Sequence, residues 1–135
     1  MTDCLFCKII SGEVAATKIY EDEHSFAFLD INPVNPGHTL VIPKEHSRNI
    51  FDISSQSFTH VMETVRKLTP AVKEGSGSDG INIHINNEPE AGQVIFHTHI
   101  HIVPRLKNDG RKMWPGNPYE EGVEQKIAKQ IIEQL

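Results

Sequence analysis

The sequence predicts an α+β domain with an antiparallel sheet of about five strands, one long helix and a C-terminal helix. Three observations lead there. Between residues 17 and 105, short β-branched and aromatic runs alternate with turn-forming clusters of Gly, Pro, Asn and Asp. From Ser54 to Glu74, Phe58, Val61, Met62, Val65, Leu68 and Val72 recur at three- and four-residue spacing, the apolar stripe of one long helix. No internal repeat or second unit is visible, and 135 residues suit a single domain, 1–135, that can bury a core unaided.

Each element has a local cause. Cys4 to Ile10 carries Leu5, Phe6, Ile9 and Ile10 near helical spacing and stops at Ser11-Gly12, which predicts a short helix. Thr17–Tyr20 and Ser25–Leu29 read as a hairpin across the acidic turn Glu21-Asp22-Glu23. Asn32 to Gly37 holds two prolines and a glycine, which is turn chemistry. The strand His38–Ile42 follows, with His38, Leu40 and Ile42 on one face. Ser54 is the expected N-cap of the long helix. Pro70 lies inside the stripe and predicts a kink or an early end, since it removes the hydrogen bond to residue 66. Gly75 to Gly80 reads as a flexible loop. Ile81–Asn86 alternates Ile81, Ile83 and Ile85 against Asn82, His84 and Asn86, and the short loop through Gly92 makes it a neighbour of the strand that follows. Val123 to Leu135 has Val123, Ile127, Ile131 and Leu135 in helical step.

A net charge of −5 with 23% charged residues argues against a protein that coats nucleic acid or a membrane surface. No stretch reaches the ~18–20 apolar residues of a membrane span, and the N-terminus lacks a charged region followed by an apolar core, so a cytoplasmic protein is expected. In that compartment a lasting disulfide between Cys4 and Cys7 is not expected, and their Cys-x-x-Cys spacing offers half of a zinc site or a redox pair.

Residues 95–105 read Ile-Phe-His-Thr-His-Ile-His-Ile-Val-Pro-Arg. On a strand, His97, His99 and His101 would share one face with Ile95 and Val103, opposite Val94, Phe96, Thr98, Ile100 and Ile102. An isolated His-x-His is ordinarily a chance run or a metal-binding tract. Here it has company: Cys4-Leu-Phe-Cys7, Phe28-Leu-Asp30, Gly37-His38-Thr-Leu-Val-Ile-Pro-Lys-Glu-His46 and Ala91-Gly92-Gln93. In order and approximate spacing this set resembles the histidine triad family of nucleotide hydrolases and transferases, in its bacterial, Hint-like branch. The matched segments run from about Cys4 to Trp114.

The resemblance implies the histidine triad fold, a homodimer, and a purine nucleotide substrate cleaved through a nucleotidyl-histidine intermediate. It assigns the nucleophile to His99, and His101 either donates to phosphate oxygen or the leaving group or merely contacts phosphate. It places Phe6, Ile9, Phe28 and Leu40 around the base, Asp30 on the ribose, Asn86 on ribose and phosphate, and Gly92 and Gln93 at the phosphate. Glycine permits the close backbone approach needed there. It completes a structural zinc site as Cys4, Cys7, His46 and His97, one ion per chain. His38 is the alternative donor but is expected to brace His99 or the triad backbone. Phe28 and Leu40 could equally be plain core. Where many relatives carry Ser or Thr after Gly-Gln, this chain has Val94, which cannot hydrogen-bond to a phosphate oxygen or leaving nitrogen. The implied activity is nucleoside 5′-phosphoramidate hydrolysis. Dinucleoside polyphosphate cleavage, as in the Fhit-like branch, and a non-catalytic nucleotide-binding module are the competing readings.

Overall fold

A computed structural model describes residues 3–135. Helix α1 (Leu5–Ser11) is capped at its start by Cys4, whose Sγ accepts from the Cys7 N–H at 3.4 Å, and ends at Gly12 in the left-handed region. Strands β1 (Lys18–Glu21) and β2 (Ser25–Leu29) form the expected hairpin. Asp22 makes its turn, accepting the His24 and Ser25 N–H groups at 2.8 Å each. β3 (Thr39–Pro43), β4 (Gly80–His84) and β5 (Ile100–Arg105) complete one antiparallel sheet in the order β1-β2-β3-β5-β4.

The long helix α2 (Ser55–Ser76) begins at the Ser54 cap, whose Oγ accepts from the Ser57 N–H, and ends at Gly77. It does not stop at Pro70. The proline ring faces solvent, where the residue 66 carbonyl can be hydrated. The stripe buried on either side of it, Val61 to Val72, outweighs one lost hydrogen bond. The expected Gly75–Gly80 loop shrinks accordingly, because α2 takes its first two residues and β4 its last.

The sheet is covered on both faces. Ala27, Val41, Ile100 and Ile102 meet Val61, Val65, Leu68 and Val72 of α2, while Phe26, Phe28, Leu40 and Ile42 meet Phe6 and Ile9 of α1. A seven-residue helix cannot cover a five-stranded sheet, so the second face keeps an opening beside α1. Gly37 holds the β2–β3 turn against the rest: its φ is +96°, and a Cβ there would lie 2.8 Å from Ser76 Cβ and 3.3 Å from Pro104 Cγ.

The largest departure from expectation is the histidine strand. β5 starts only at Ile100, and residues 93–99 are irregular. Instead of a ladder partner, Thr98 has Ser47, whose carbonyl accepts the Thr98 N–H at 2.8 Å and whose Oγ lies 2.6 Å from Thr98 Oγ1. Period-two alternation therefore fails upstream of His99. Val94 and Phe96, expected in the core, are 78% and 40% exposed, and His97 is fully buried.

α3 (Val123–Ile132) forms where expected but buries none of its residues. No helix among the described residues is long and apolar enough to cross a membrane.

Candidate active site and metal centre

The opening beside α1 is a cavity of about 440 Å³. Its lining combines apolar Phe6, Ile9, Phe28 and Leu40 with Asp30, Asn86, Gly92, His99 and His101. A drug-sized or nucleoside-sized ligand fits such a volume. A second cavity of about 430 Å³ lies between α2 and the β2–β3 turn, but no titratable side chain lines it, so it offers no comparable chemistry.

Hydrogen bonds fix which nitrogen of each histidine carries its proton. The Val34 N–H donates to His38 Nδ1 at 3.1 Å, so neutral His38 bears its hydrogen on Nε2. That Nε2 lies 2.9 Å from His101 Nδ1 and donates to it. His101 must then carry its own hydrogen on Nε2, and this buried atom has no hydrogen-bond partner among the described residues. The orphan N–H is a donor awaiting an acceptor from a ligand. His38 thus braces the His101 side chain, where His99 or the triad backbone was expected.

His99 is set the opposite way. Its Nδ1–H donates to the His97 carbonyl at 2.7 Å, leaving Nε2 with a bare lone pair. The Phe6 ring meets it edge-on with centroids 5.1 Å apart, and the His99 and His101 centroids are 5.0 Å apart. Burial pushes both basicities down. His101 falls to about 3, through desolvation first and then the neighbouring histidines. His99 falls through desolvation, partly opposed by its bond to the His97 carbonyl and by Asp30. At neutral pH the pair is uncharged, one member offering an unpaired lone pair and the other an unpaired N–H. That combination can attack an electrophile and stabilise the charge which develops on it.

Asp30 accepts the Asn32 N–H at 2.8 Å through Oδ1, and its Oδ2 lies 3.7 Å from His38 Nε2. Asp30, His38 and His101 are close enough to hold a metal ion, but His38 Nδ1 already accepts from Val34 and its Nε2–H cannot ligate. Gly92 has a φ of +88° and touches Asn86, so a side chain there would be strained. Gln93 does not line the cavity. Its amide is fully used, donating to the Arg48 and Ile95 carbonyls at 2.7 and 3.1 Å and accepting from Asn49 Nδ2 and the Glu88 N–H at 3.0 and 2.8 Å. The side chain shapes the 86–95 loop from within.

Cys4, Cys7, His46 and His97 converge behind α1. Cys4 Sγ and Cys7 Sγ lie 3.4 and 3.6 Å from His97 Nδ1, Cys7 Sγ lies 3.4 Å from His46 Nδ1, and the two Nδ1 atoms are 3.1 Å apart. Tetrahedral zinc with ordinary bond lengths needs S···N edges of about 3.5 Å and N···N edges of about 3.3 Å. The donors fit. His97 Nε2–H donates to the Pro43 carbonyl at 2.8 Å, which frees Nδ1 to ligate and supplies the outer hydrogen bond that metal-binding histidines require.

Three features were missed in the sequence. His84, on the polar face of β4, stacks on His101. Asn35 and Arg105 clasp Asp109, tying the β2–β3 turn to the end of β5. Asn49 anchors Gln93. Only His84 had a signal, its alternation phase in a strand expected to neighbour the triad. His24 and His60 stack on each other 3.8 Å apart, away from the cavity.

A sheet face with a nucleoside-sized cavity and a histidine pair in opposite tautomers, next to a closed four-donor cluster, defines a class of protein built around a histidine-centred reaction site. The HIT domain family profile matches residues 11–108, and the chain belongs to that family. Among its relatives is an uncharacterized HIT-like protein of Borreliella burgdorferi, 46% identical over 126 residues that cover 92% of this chain and 91% of that one. Adenosine 5′-monophosphoramidase hnt1 of Schizosaccharomyces pombe is 38% identical, covering 85% of each chain. Adenylylsulfatase HINT3 of Arabidopsis thaliana is 44% identical, over 79% of this chain and 54% of its own. A HIT family crystal structure from Bacillus subtilis superposes with a TM-score of 0.91 at 39% identity, covering 98% of this chain and 97% of that chain. A Zn-bound histidine triad family protein from Mycobacterium smegmatis gives 0.76 at 35% identity over 99% of both. These relatives support a nucleotide hydrolase in general.

Proposed function

We propose that the protein hydrolyses nucleoside 5′-phosphoramidates, with His99 as nucleophile. The observation that carries this reading is the tautomer arrangement: Nδ1–H of His99 is engaged by the His97 carbonyl, so Nε2 is the lone pair available to the cavity. Nε2 attacks the α-phosphorus, the P–N bond breaks, and the departing nitrogen takes up one proton from solvent, to which the second step returns one, and leaves as the amine. Water then attacks the nucleotidyl-His99 phosphorus, the P–Nε2 bond breaks, and the proton shed by water restores the balance. The orphan Nε2–H of His101 donates to the phosphoryl oxygen or the departing group as negative charge builds. Phe6, Ile9, Phe28 and Leu40 hold the purine, Asp30 the ribose hydroxyls, and Asn86 and the Gly92 backbone the ribose and phosphate. Gln93 contributes by bracing that loop. Relatives named as a monophosphoramidase and an adenylylsulfatase support this substrate class.

Cys4, Cys7, His46 and His97 are proposed to hold one zinc ion per chain. The ion would be structural, because protein atoms fill all four positions.

The deciding experiment presents purified protein with an adenosine phosphoramidate, a diadenosine polyphosphate and an adenylyl sulfate side by side. The phosphoramidate is expected to turn over fastest. Preference for the dinucleotide would move the protein to the competing hydrolase class, and failure to cleave any of the three would leave a nucleotide-binding module.

A homodimer is also proposed. β4 is an edge strand with Ile83 46% exposed, and α3 leaves Ile131 and Ile132 58% and 66% exposed, an arrangement that a second copy would cover. Sedimentation equilibrium should give twice the chain mass at micromolar concentration, and a monomer there would overturn this.

A further inference from the structure

We propose that His84 is a positioning residue of the reaction centre: its imidazole packs flat against His101 and holds that ring with Nε2–H aimed into the cavity. The proposal rests on the reading of the cavity as a nucleotidyl-transfer site.

The placement comes from register. β4 pairs antiparallel with β5 so that His84 lies directly opposite His101, and directly opposed residues project on the same face. The two rings stack with centroids 4.4 Å apart and planes 17° from parallel. The other neighbours of His101 are tilted: His38 at 5.2 Å and 48°, His99 at 5.0 Å and 58°. His84 is thus the one ring lying flat on the donor histidine.

The centre needs such a support. Rotation about the last side-chain bond of histidine is soft, with broad wells. The hydrogen bond from His38 secures only the Nδ1 edge of His101, and no partner among the described residues holds Nε2. A half-turn of the ring would put Cδ2 where Nδ1 now sits and Cε1 where Nε2 now sits, breaking the bond from His38 that fixes the tautomer and turning the N–H away from the ligand. Midway through that turn the ring edge must sweep into the space His84 fills. A flat neighbour at stacking distance therefore blocks this half-turn sterically, and any flat ring of similar size should do so.

His84→Ala and His84→Phe separate this role from a general packing role. In His84→Ala, kcat for the adenosine phosphoramidate should fall about 10-fold with KM changed less than about twofold, since misorientation of one donor affects the transition state more than nucleotide binding. His84→Phe should restore kcat to near wild type. A second readout needs no turnover: the imidazole ¹⁵N shifts of His101 in nucleotide-free protein should report a single Nε2–H tautomer in wild type and His84→Phe, and an averaged mixture in His84→Ala. An unchanged single tautomer with unchanged kcat in His84→Ala would overturn the proposal. So would an equal loss in His84→Phe, which would assign the effect to the imidazole nitrogens. If wild type fails to cleave phosphoramidates, the proposed activity falls while the tautomer measurement still decides the role of His84.

Discussion

His99→Ala should reduce phosphoramidate turnover by roughly 10³-fold or more, the scale on which loss of a nucleophile acts when its partners cannot replace it. No substitute stands ready. His101 offers the cavity an N–H, its Nδ1 lone pair is engaged by His38, and His97 is turned to the cysteine cluster with its Nε2 bonded to Pro43. Nucleoside monophosphate affinity should change far less, by about 1 kcal/mol, the net scale of one hydrogen bond. The variant would therefore separate chemistry from binding within one cavity. Wild-type protein quenched under acid-free conditions during turnover should carry a nucleotidyl group on His99. An adduct on His101, or near wild-type activity in His99→Ala, would place the nucleophile elsewhere.

The reasons why some parts of this centre were legible in the sequence and others were not are physical. Strands β1, β2 and β3 and helix α2 follow local rules: branched residues between turns, a serine cap, and a stripe at helical period. The apolar walls were harder. Phe28 and Leu40 read equally well as core, and they are both: each is buried in the α1-side cluster and also lines the cavity. The histidine stretch misled because strand periodicity was extended through residues held by something other than a strand. Thr98 pairs with Ser47 and His97 with Pro43 and the cysteine cluster, and these partners lie about fifty or more residues away in sequence. The early end expected at Pro70 fails for the converse reason, since a local rule lost to tertiary burial on both sides of it. The relay from Val34 through His38 to His101 could not be read in advance, because its first member is a backbone N–H.

Stripping the metal is expected to damage the nucleotide pocket as well as stability, because Cys4 and His97 of the cluster also hold parts of the pocket. Cys4 caps α1, which carries Phe6 and Ile9 into the cavity wall. His97 presents the carbonyl that fixes the His99 tautomer. Elemental analysis of untagged protein should find one zinc per chain. Chelator-treated protein should lose several kcal/mol of stability, a fall in Tm on the order of 10 °C or more for a domain of this size, and should bind nucleoside monophosphate more weakly. The pH dependence has a definite sign. Burial, followed by the hydrogen bond to Cys4, pushes the Cys7 thiol up to about 11, so zinc must displace a proton to bind there and its affinity should rise with pH. His97, pushed down to about 4 chiefly by burial, is already neutral at pH 7 and adds no proton cost. Acidification should therefore release the metal as Cys7 takes up its proton, and the zinc retained after gel filtration should fall as the pH is lowered. Metal content near zero at neutral pH, with both cysteines readily alkylated in the native protein, would remove zinc from the site.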